Sequence, residues 1–298
     1  MIKALFQLLR PHQWLKNLFV FTPLFFDRHA TEWNYVWPCI QTYIAFCLTA
    51  SGIYCFNDVY DAEADRRHPT KCMRPIARGV LSVHVAYATM AVLWLLAFVL
   101  LVCGNFQGDG TSISLIGIFL FYIAMNLAYC VKLKQVALLD VFIIATGFVL
   151  RVVVGGMATG IILSHWIVLT TFLLALFLAV AKRRDDVVIY EALGVKPRRN
   201  INRYNLDFLN QTISILGSIT IMCYILYTVS EEVVERIGSC YLYATSLFVM
   251  AVILRYMQLT LVDGKSGSPT RVLLKDPFIQ LCIIGWVGMF SIILFLRK

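Results

Sequence analysis

The chain has 298 residues, of which 60% are hydrophobic and 14% charged, with a net charge of +9. A soluble domain carries roughly 25% charged residues, so this composition excludes an ordinary water-soluble fold. It predicts an all-α, polytopic membrane helical bundle, and nothing in it calls for a nucleic-acid partner.

The first ten residues are amphipathic and lack the short apolar core and small-residue cleavage site of a removable signal. Apolar segments follow at Trp14–Phe26, Val36–Phe56, Ser82–Cys103, Ser112–Val131, Val136–Ala158, Leu163–Ala181, Gln211–Ser230, Gly238–Leu259 and Pro277–Leu296. All but the first approach the roughly 20 residues that a bilayer requires. The first is short, is interrupted by Asp27, Arg28 and His29, and is extended only by a turn at Pro11–Lys16. The expected architecture is therefore one integral-membrane domain, residues 1–298, of about nine transmembrane helices. Alternating the nine segments puts all but five of the 26 Lys and Arg residues on one side, the five being Arg28, Arg151, Arg236, Arg297 and Lys298. By the positive-inside rule that side is cytoplasmic. The nine cysteines contain no CxxC pair and lie mostly in apolar segments, so they read as small buried hydrophobes.

Residues Asn57–Gly79, NDVYDAEADRRHPTKCMRPIARG, are the densest run of charge. Asp58, Asp61 and Asp65 are spaced i, i+3, i+7, which puts all three on one face of a helix. Like charges so placed repel, and a cation among them would relieve this. Carboxylate oxygens beside Asn57 suit Mg²⁺, which keeps part of its shell for water and phosphates. The adjoining Arg66, Arg67, Lys71, Arg74 and Arg78 point to those phosphates.

A second charged loop, AKRRDDVVIYEALGVKPRRNINRY at Ala181–Tyr204, follows the sixth apolar segment. Lys182 and Asp186 share a helix face at i, i+4, and Gly194 and Pro197 break the helix. Cations after an apolar segment are ordinary anchors. The acids Asp185, Asp186 and Glu191 among them point to function. Asp140 and Arg151 fall on one stripe of the fifth segment with Gly147, but about 16 Å apart along the axis, too far to pair. An Arg at the depth of Arg151 faces either a polar cavity or a partner on another helix. Lys132 and Lys134 add a basic rim, which Arg255 either joins or leaves by snorkelling.

The 57–79 stretch resembles the first Asp-rich motif, NDxxDxxxD with a downstream RP-A-G, of the UbiA superfamily of intramembrane prenyltransferases. Further stretches are similar to its decaprenyl-phosphate phosphoribosyltransferase branch. They are RPHQWLKN at Arg10–Asn17, YCVKLKQVALLDVFIIATGFVLRVVVGG at Tyr129–Gly156, LALFLAVAKRRDD at Leu174–Asp186, ILRYMQL at Ile253–Leu259 and SGSPTRVLLKD at Ser266–Asp276. The branch commonly has Glu where this chain has Asp186.

The resemblance implies a UbiA-like fold with catalytic cytoplasmic loops. It implies transfer of 5-phosphoribose from phosphoribosyl pyrophosphate to a polyprenyl phosphate lipid, a step toward the arabinose donor of cell-envelope polysaccharides. Carried over by position, Asn57, Asp58, Asp61 and Asp65 would hold Mg²⁺ on the pyrophosphate, with Lys182 and Asp186 also assigned to catalysis. Lys16, Asn17, Arg66, Lys71, Arg74, Arg78, Lys132, Lys134, Arg151, Arg183 and Arg184 would bind substrate. His68 could reach a sugar hydroxyl, although Pro69 after it predicts a turn. The alternative enzyme is an aromatic prenyltransferase using a prenyl diphosphate, against which KRRDD in place of a second DxxxD motif argues. A transporter would carry ionisable residues near mid-membrane, whereas this charge lies at one face. A homo-oligomer is compatible with the sequence and not required by it.

Overall fold

The computed structural model describes residues 2–27, 29–66, 71–106, 108, 110–194, 200–264 and 269–295. Among these the chain is helical, with no strand. Eight helices are long and apolar enough to cross a membrane. The chain divides into two compact units, 1–134 with 150–162, and 135–149 with 163–298.

In the first unit, α1 (Ile2–Leu9) leads into a 3₁₀ helix, Pro11–Phe21, and the short α2 (Thr22–Phe25). This is where nine expected spans become eight long helices. Pro11 and Pro23 favour helix starts, and the segment between them winds in the tighter form. At about 2.0 Å per residue, its eleven residues still reach roughly 22 Å, and α2 adds about 6 Å. It runs antiparallel to α3 (Trp33–Tyr60). Trp14 Nε1 donates to Ser51 Oγ at 3.0 Å, Asn17 Nδ2 to Cys47 Sγ at 3.2 Å, and Cys39 Sγ to the Val20 carbonyl at 3.5 Å.

Past α3 come α4 (Ala62–Arg66), α5 (Val83–Val102) and α6 (Thr111–Val131). Ser82 caps α5 by accepting from the Val85 N–H, one of the orphan donors of a helix start. The aromatic core joins Phe46, Phe119 and Tyr122 with Val20, Leu101 and Val154. Outward-facing Val92, Leu95, Leu96 and Val102 on α5 are exposed apolar side chains, as a lipid-facing helix requires.

Helix α7 (Leu139–Thr159) gives residues up to Val149 to the second unit and those from Leu150 to the first. A Cβ on its Gly155 would overlap the Val20 carbonyl, so only glycine lets the 3₁₀ segment come this close.

The second unit continues with α8 (His165–Leu193), α9 (Leu206–Val229), α10 (Glu231–Ile237), α11 (Ser246–Leu261), α12 (Pro269–Lys275) and α13 (Pro277–Phe295). Its core holds Val141, Ala145, Phe177, Leu209, Ile213, Ile253, Tyr256 and Ile279. Helix α8 outruns its apolar stretch, carrying KRRDD within it until Gly194 ends it at φ 65°. That is the break expected at Gly194; Pro197 lies outside the described residues. Asn205 caps α9 through the Phe208 N–H at 2.8 Å. All nine cysteines are free thiols.

Candidate active site

The Asp-rich stretch begins on the last turns of α3. Asp61 closes that helix, with its N–H on the Asn57 carbonyl at 2.9 Å, and α4 restarts at Ala62. The single helix expected to carry three acids on one face is thus broken at Asp61. Asp58 and Asp65 share one cation: Arg74 Nη1 lies 3.2 Å from Asp58 Oδ1 and 2.6 Å from Asp65 Oδ2. Asp61 turns to another element and pairs with Lys134 Nζ at 2.6 Å. The repulsion that called for a cation is relieved here by the protein's own side chains.

Asp58 is the focus. Its side chain is 1% exposed, its Oδ1 also binds Arg10, and its Oδ2 is buried with no partner among the described residues. Arg10 was absent from the sequence-derived site set. It sits at φ 51°, ψ 58°, a left-handed conformation that a non-glycine residue adopts at a cost of about 1–3 kcal/mol. Pro11 disfavours the right-handed region for the residue before it. The Asp58 pair and a cation–π contact, 4.9 Å from the Tyr54 ring centroid, hold the guanidinium in place. The local clues were the Arg-Pro step and its place at the head of the RPHQWLKN stretch.

A pocket of about 290 Å³ opens over Asp58, lined by Gln7, Arg10, His12, Lys71, Met73, Arg74 and Pro75. Burial, then the charges of Arg10 and Lys16, push His12 below the usual imidazole value, so it stays neutral among the cations. Such a lining suits a polyphosphate: arginines grip phosphate oxygens in pairs, and lysine acts as a point charge.

Of the other expected residues in this unit, Asn57 is half-buried, and Arg78 and Lys132 are exposed. Arg66 is exposed and donates to the Ala77 carbonyl at 3.3 Å. Lys16 is half-buried beside Asn17. Arg151 meets a structural set: Nε donates to Asn17 Oδ1 at 2.8 Å and Nη2 to Tyr122 OH at 3.0 Å, with the guanidinium 4.8 Å from the Phe46 ring centroid. Asn17, 1% exposed, is closed off by this contact. His68 lies outside the described residues.

The residues of the second loop build a separate network in the second unit. Arg183 Nε donates to Asp140 Oδ2 at 2.7 Å and Nη1 to Asp186 Oδ2 at 3.2 Å, while its buried Nη2 has no partner among the described residues. Tyr204 OH donates to Asp140 Oδ1 at 3.0 Å and accepts the Leu138 N–H at 2.7 Å. Burial pushes the Tyr204 hydroxyl up to about 12. Arg184 donates to Asn210 and to the Thr260 carbonyl, both at 2.7 Å, where the end of α11 offers unpaired acceptors. Both arginines, expected on phosphates, are engaged internally; Lys182 is exposed. Arg255, expected to join a rim or snorkel, instead clamps Asp276 at 3.0 and 3.2 Å.

The oxygen donors Asn57, Asp58, Asp61 and Asp65 have the chemistry of a hard-cation site, and the orphaned Asp58 Oδ2 is a vacant donor within it. Among the described residues, however, no group of three or more His, Cys, Asp or Glu is arranged to hold a metal ion. A metal would take the acids over from Arg10, Arg74 and Lys134.

Fold and site together define a multi-pass helical membrane protein with an arginine-clamped carboxylate in an anion-sized pocket. Residues 22–271 match the UbiA prenyltransferase family, and the chain belongs to it. It is 32% identical to the decaprenyl-phosphate phosphoribosyltransferase of Mycolicibacterium smegmatis, over 97% of this chain and 91% of that one. It is 35% identical to the protein of the same name from Corynebacterium glutamicum, over 96% of this chain and 84% of that one. Among solved structures, a UbiA homolog from Archaeoglobus fulgidus bound to GPP and Mg²⁺ superposes with a TM-score of 0.70. It is 19% identical and covers 98% of this chain and 99% of that one, which fixes the fold.

Proposed function

We propose that this protein transfers 5-phosphoribose from phosphoribosyl pyrophosphate to a polyprenyl phosphate, at the cytoplasmic face of a bacterial inner membrane. The product is a lipid-linked pentose phosphate for cell-envelope arabinose donors. The near-full-length likeness to two decaprenyl-phosphate phosphoribosyltransferases supports the reaction class. The observation that carries it to particular residues is the cation-lined pocket around the half-satisfied Asp58 carboxylate.

In this reading Arg10, Lys71 and Arg74 bind the pyrophosphate oxygens. Asn57, Asp58, Asp61 and Asp65 would hold Mg²⁺, which supplies charge neutralisation for the departing pyrophosphate when bound. A lipid phosphate oxygen forms a new bond to the anomeric carbon as the bond to pyrophosphate breaks, and the electron pair leaves with pyrophosphate. The attacking oxygen is already anionic, so no strong general base is required. The carboxylates of Asp58 and Asp65 lie close enough to the pocket to favour positive charge building on the ribose. Lys132, at the end of α6, and Lys182, on α8, are exposed and are further phosphate contacts. Arg151, Asn17, Arg183 and Arg184 act through position, holding helices rather than touching substrate.

The test is direct. Purified protein, Mg²⁺, polyprenyl phosphate and phosphoribosyl pyrophosphate labelled in the ribose are incubated, and the lipid is extracted. Label in the lipid fraction is expected. Its absence in folded protein, with product formed instead from a prenyl diphosphate and an aromatic acid, would replace this reading with aromatic prenyl transfer.

A further inference from the structure

The second unit carries a larger pocket that the proposed reaction leaves unused. It measures about 560 Å³ and is lined by Gln135, Val136, Leu138, Arg203, Tyr204 and Phe208. Its walls are the residues that enter two membrane-crossing helices, α7 at Leu139 and α9 at Leu206. Where such helices cross a bilayer, their ends lie at the level of the headgroups.

Three apolar side chains on its rim, Val136, Leu138 and Phe208, are each more than 40% exposed. Leu138 is held there deliberately. It takes the left-handed region at φ 68°, where a leucine is strained, and the Tyr204 hydroxyl fixes its N–H at 2.7 Å. Tyr204 is anchored in turn on the buried Asp140. A turn needing only that backbone shape would take glycine or asparagine, so the leucine side chain is what the site keeps. Beside this apolar rim, Arg203 is exposed and its guanidinium makes no hydrogen bond or ion pair within the described residues, and none of the described lining residues is acidic.

From this juxtaposition we infer a site for one anionic phospholipid of the bilayer, its phosphate on Arg203 and the head of an acyl chain against Val136, Leu138 and Phe208. Basic pockets at the membrane-facing ends of helices recognise lipid headgroups by this combination of charge and apolar wall. Uncompensated positive charge selects an anionic head over a zwitterionic one. The Arg203 charge lies outside the Asp58 pocket, so the site does not depend on the assigned reaction.

Native mass spectrometry of the full chain in detergent, with dioleoyl phosphatidylglycerol or dioleoyl phosphatidylcholine added, tests it. Phosphatidylglycerol adducts are expected to dominate, and to weaken about tenfold in Arg203→Glu, where a near-surface charge is reversed. Arg203→Gln and Phe208→Ser should weaken them less, with unchanged melting temperatures and lipid-product formation. Equal retention of the two lipids, or undiminished phosphatidylglycerol binding in both Arg203 variants, would overturn the site. Polyprenyl phosphate displacing phosphatidylglycerol at equal concentration would overturn the assignment to a bilayer lipid and make this an acceptor subsite.

Discussion

Arg183 donates from Nε to Asp140 at 2.7 Å, and neither side chain is more than 1% exposed. Removing one member of a buried pair leaves a charge without compensation, at about 3–5 kcal/mol. Asp140→Ala should therefore lower stability by about that much, measured by denaturant unfolding in micelles. Asp140→Leu combined with Arg183→Met should recover most of it, because an apolar replacement of both partners removes the stranded charge. If Asp140→Ala unfolds like the parent, the pair does not hold α7 to α8.

Arg10 separates stability from function. Glycine adopts the left-handed conformation without strain, which offsets part of the cost of taking the Arg10 partner from the buried Asp58, so Arg10→Gly should melt above Arg10→Ala. The same change removes a charged contact to the donor, worth about 1.5–3 kcal/mol, and kcat/KM for phosphoribosyl pyrophosphate should drop at least about tenfold. Arg10→Ala should lose the same activity and melt lowest of the three, since it gives up the Asp58 contact and keeps the strain that glycine relieves. Steady-state kinetics beside thermal melts distinguish the two. An active Arg10→Gly enzyme would remove Arg10 from the phosphate site.

At Gly155 the limit is space. A methyl group there meets the Val20 carbonyl, and the 3₁₀ segment must retreat from α7. Gly155→Ala should destabilise by about 1–3 kcal/mol, the usual range for overpacking, and Gly155→Val by more. Equal urea midpoints for the parent and Gly155→Val would mean the two segments do not touch.

The hydrogen bond from Arg255, with backbone N–H groups assisting, holds Asp276 below its ordinary value near 3.8. A carboxylate depressed in the folded state stabilises it fully above that ordinary value. The contribution disappears as pH falls through the depressed one. Melting curves of the parent and Asp276→Asn should therefore diverge above pH about 5 and converge in stronger acid. A constant difference across that range would mean the clamp does not act through ionisation.

The acidic face around Asp58 was legible because Asp58, Asp65 and the Arg74 they share fall within one short stretch. Arg10 was not, since it lies 48 residues from Asp58 and owes its placement to a backbone conformation no local pattern announces. The apolar lengths gave eight of the crossing helices nearly in place. They could not show that Pro11–Phe21 winds as 3₁₀, because hydropathy counts residues and not rise. KRRDD misled in part. Its two arginines look like free phosphate ligands until Asp140 and the Thr260 carbonyl, 43 and 76 residues away, are seen to occupy them. Buried arginines and surface arginines are written alike in the chain.

The carboxylates of Asp58, Asp61 and Asp65 already balance Arg10, Arg74 and Lys134. A divalent ion arriving alone would have to evict those cations and leave them unmatched; a polyphosphate arriving alone would have to evict the acids. The two together compensate each other, the ion lying on the acids and the phosphates on the released cations. Their affinities should be coupled, each raising the other by the same factor. In an isothermal titration, Mg²⁺ or pyrophosphate given singly should bind feebly, and the second partner should tighten sharply once the first is saturating. On the proposed reading, the resting ion pairs would work as a gate with two keys, keeping stray magnesium and stray phosphate from filling the pocket by themselves.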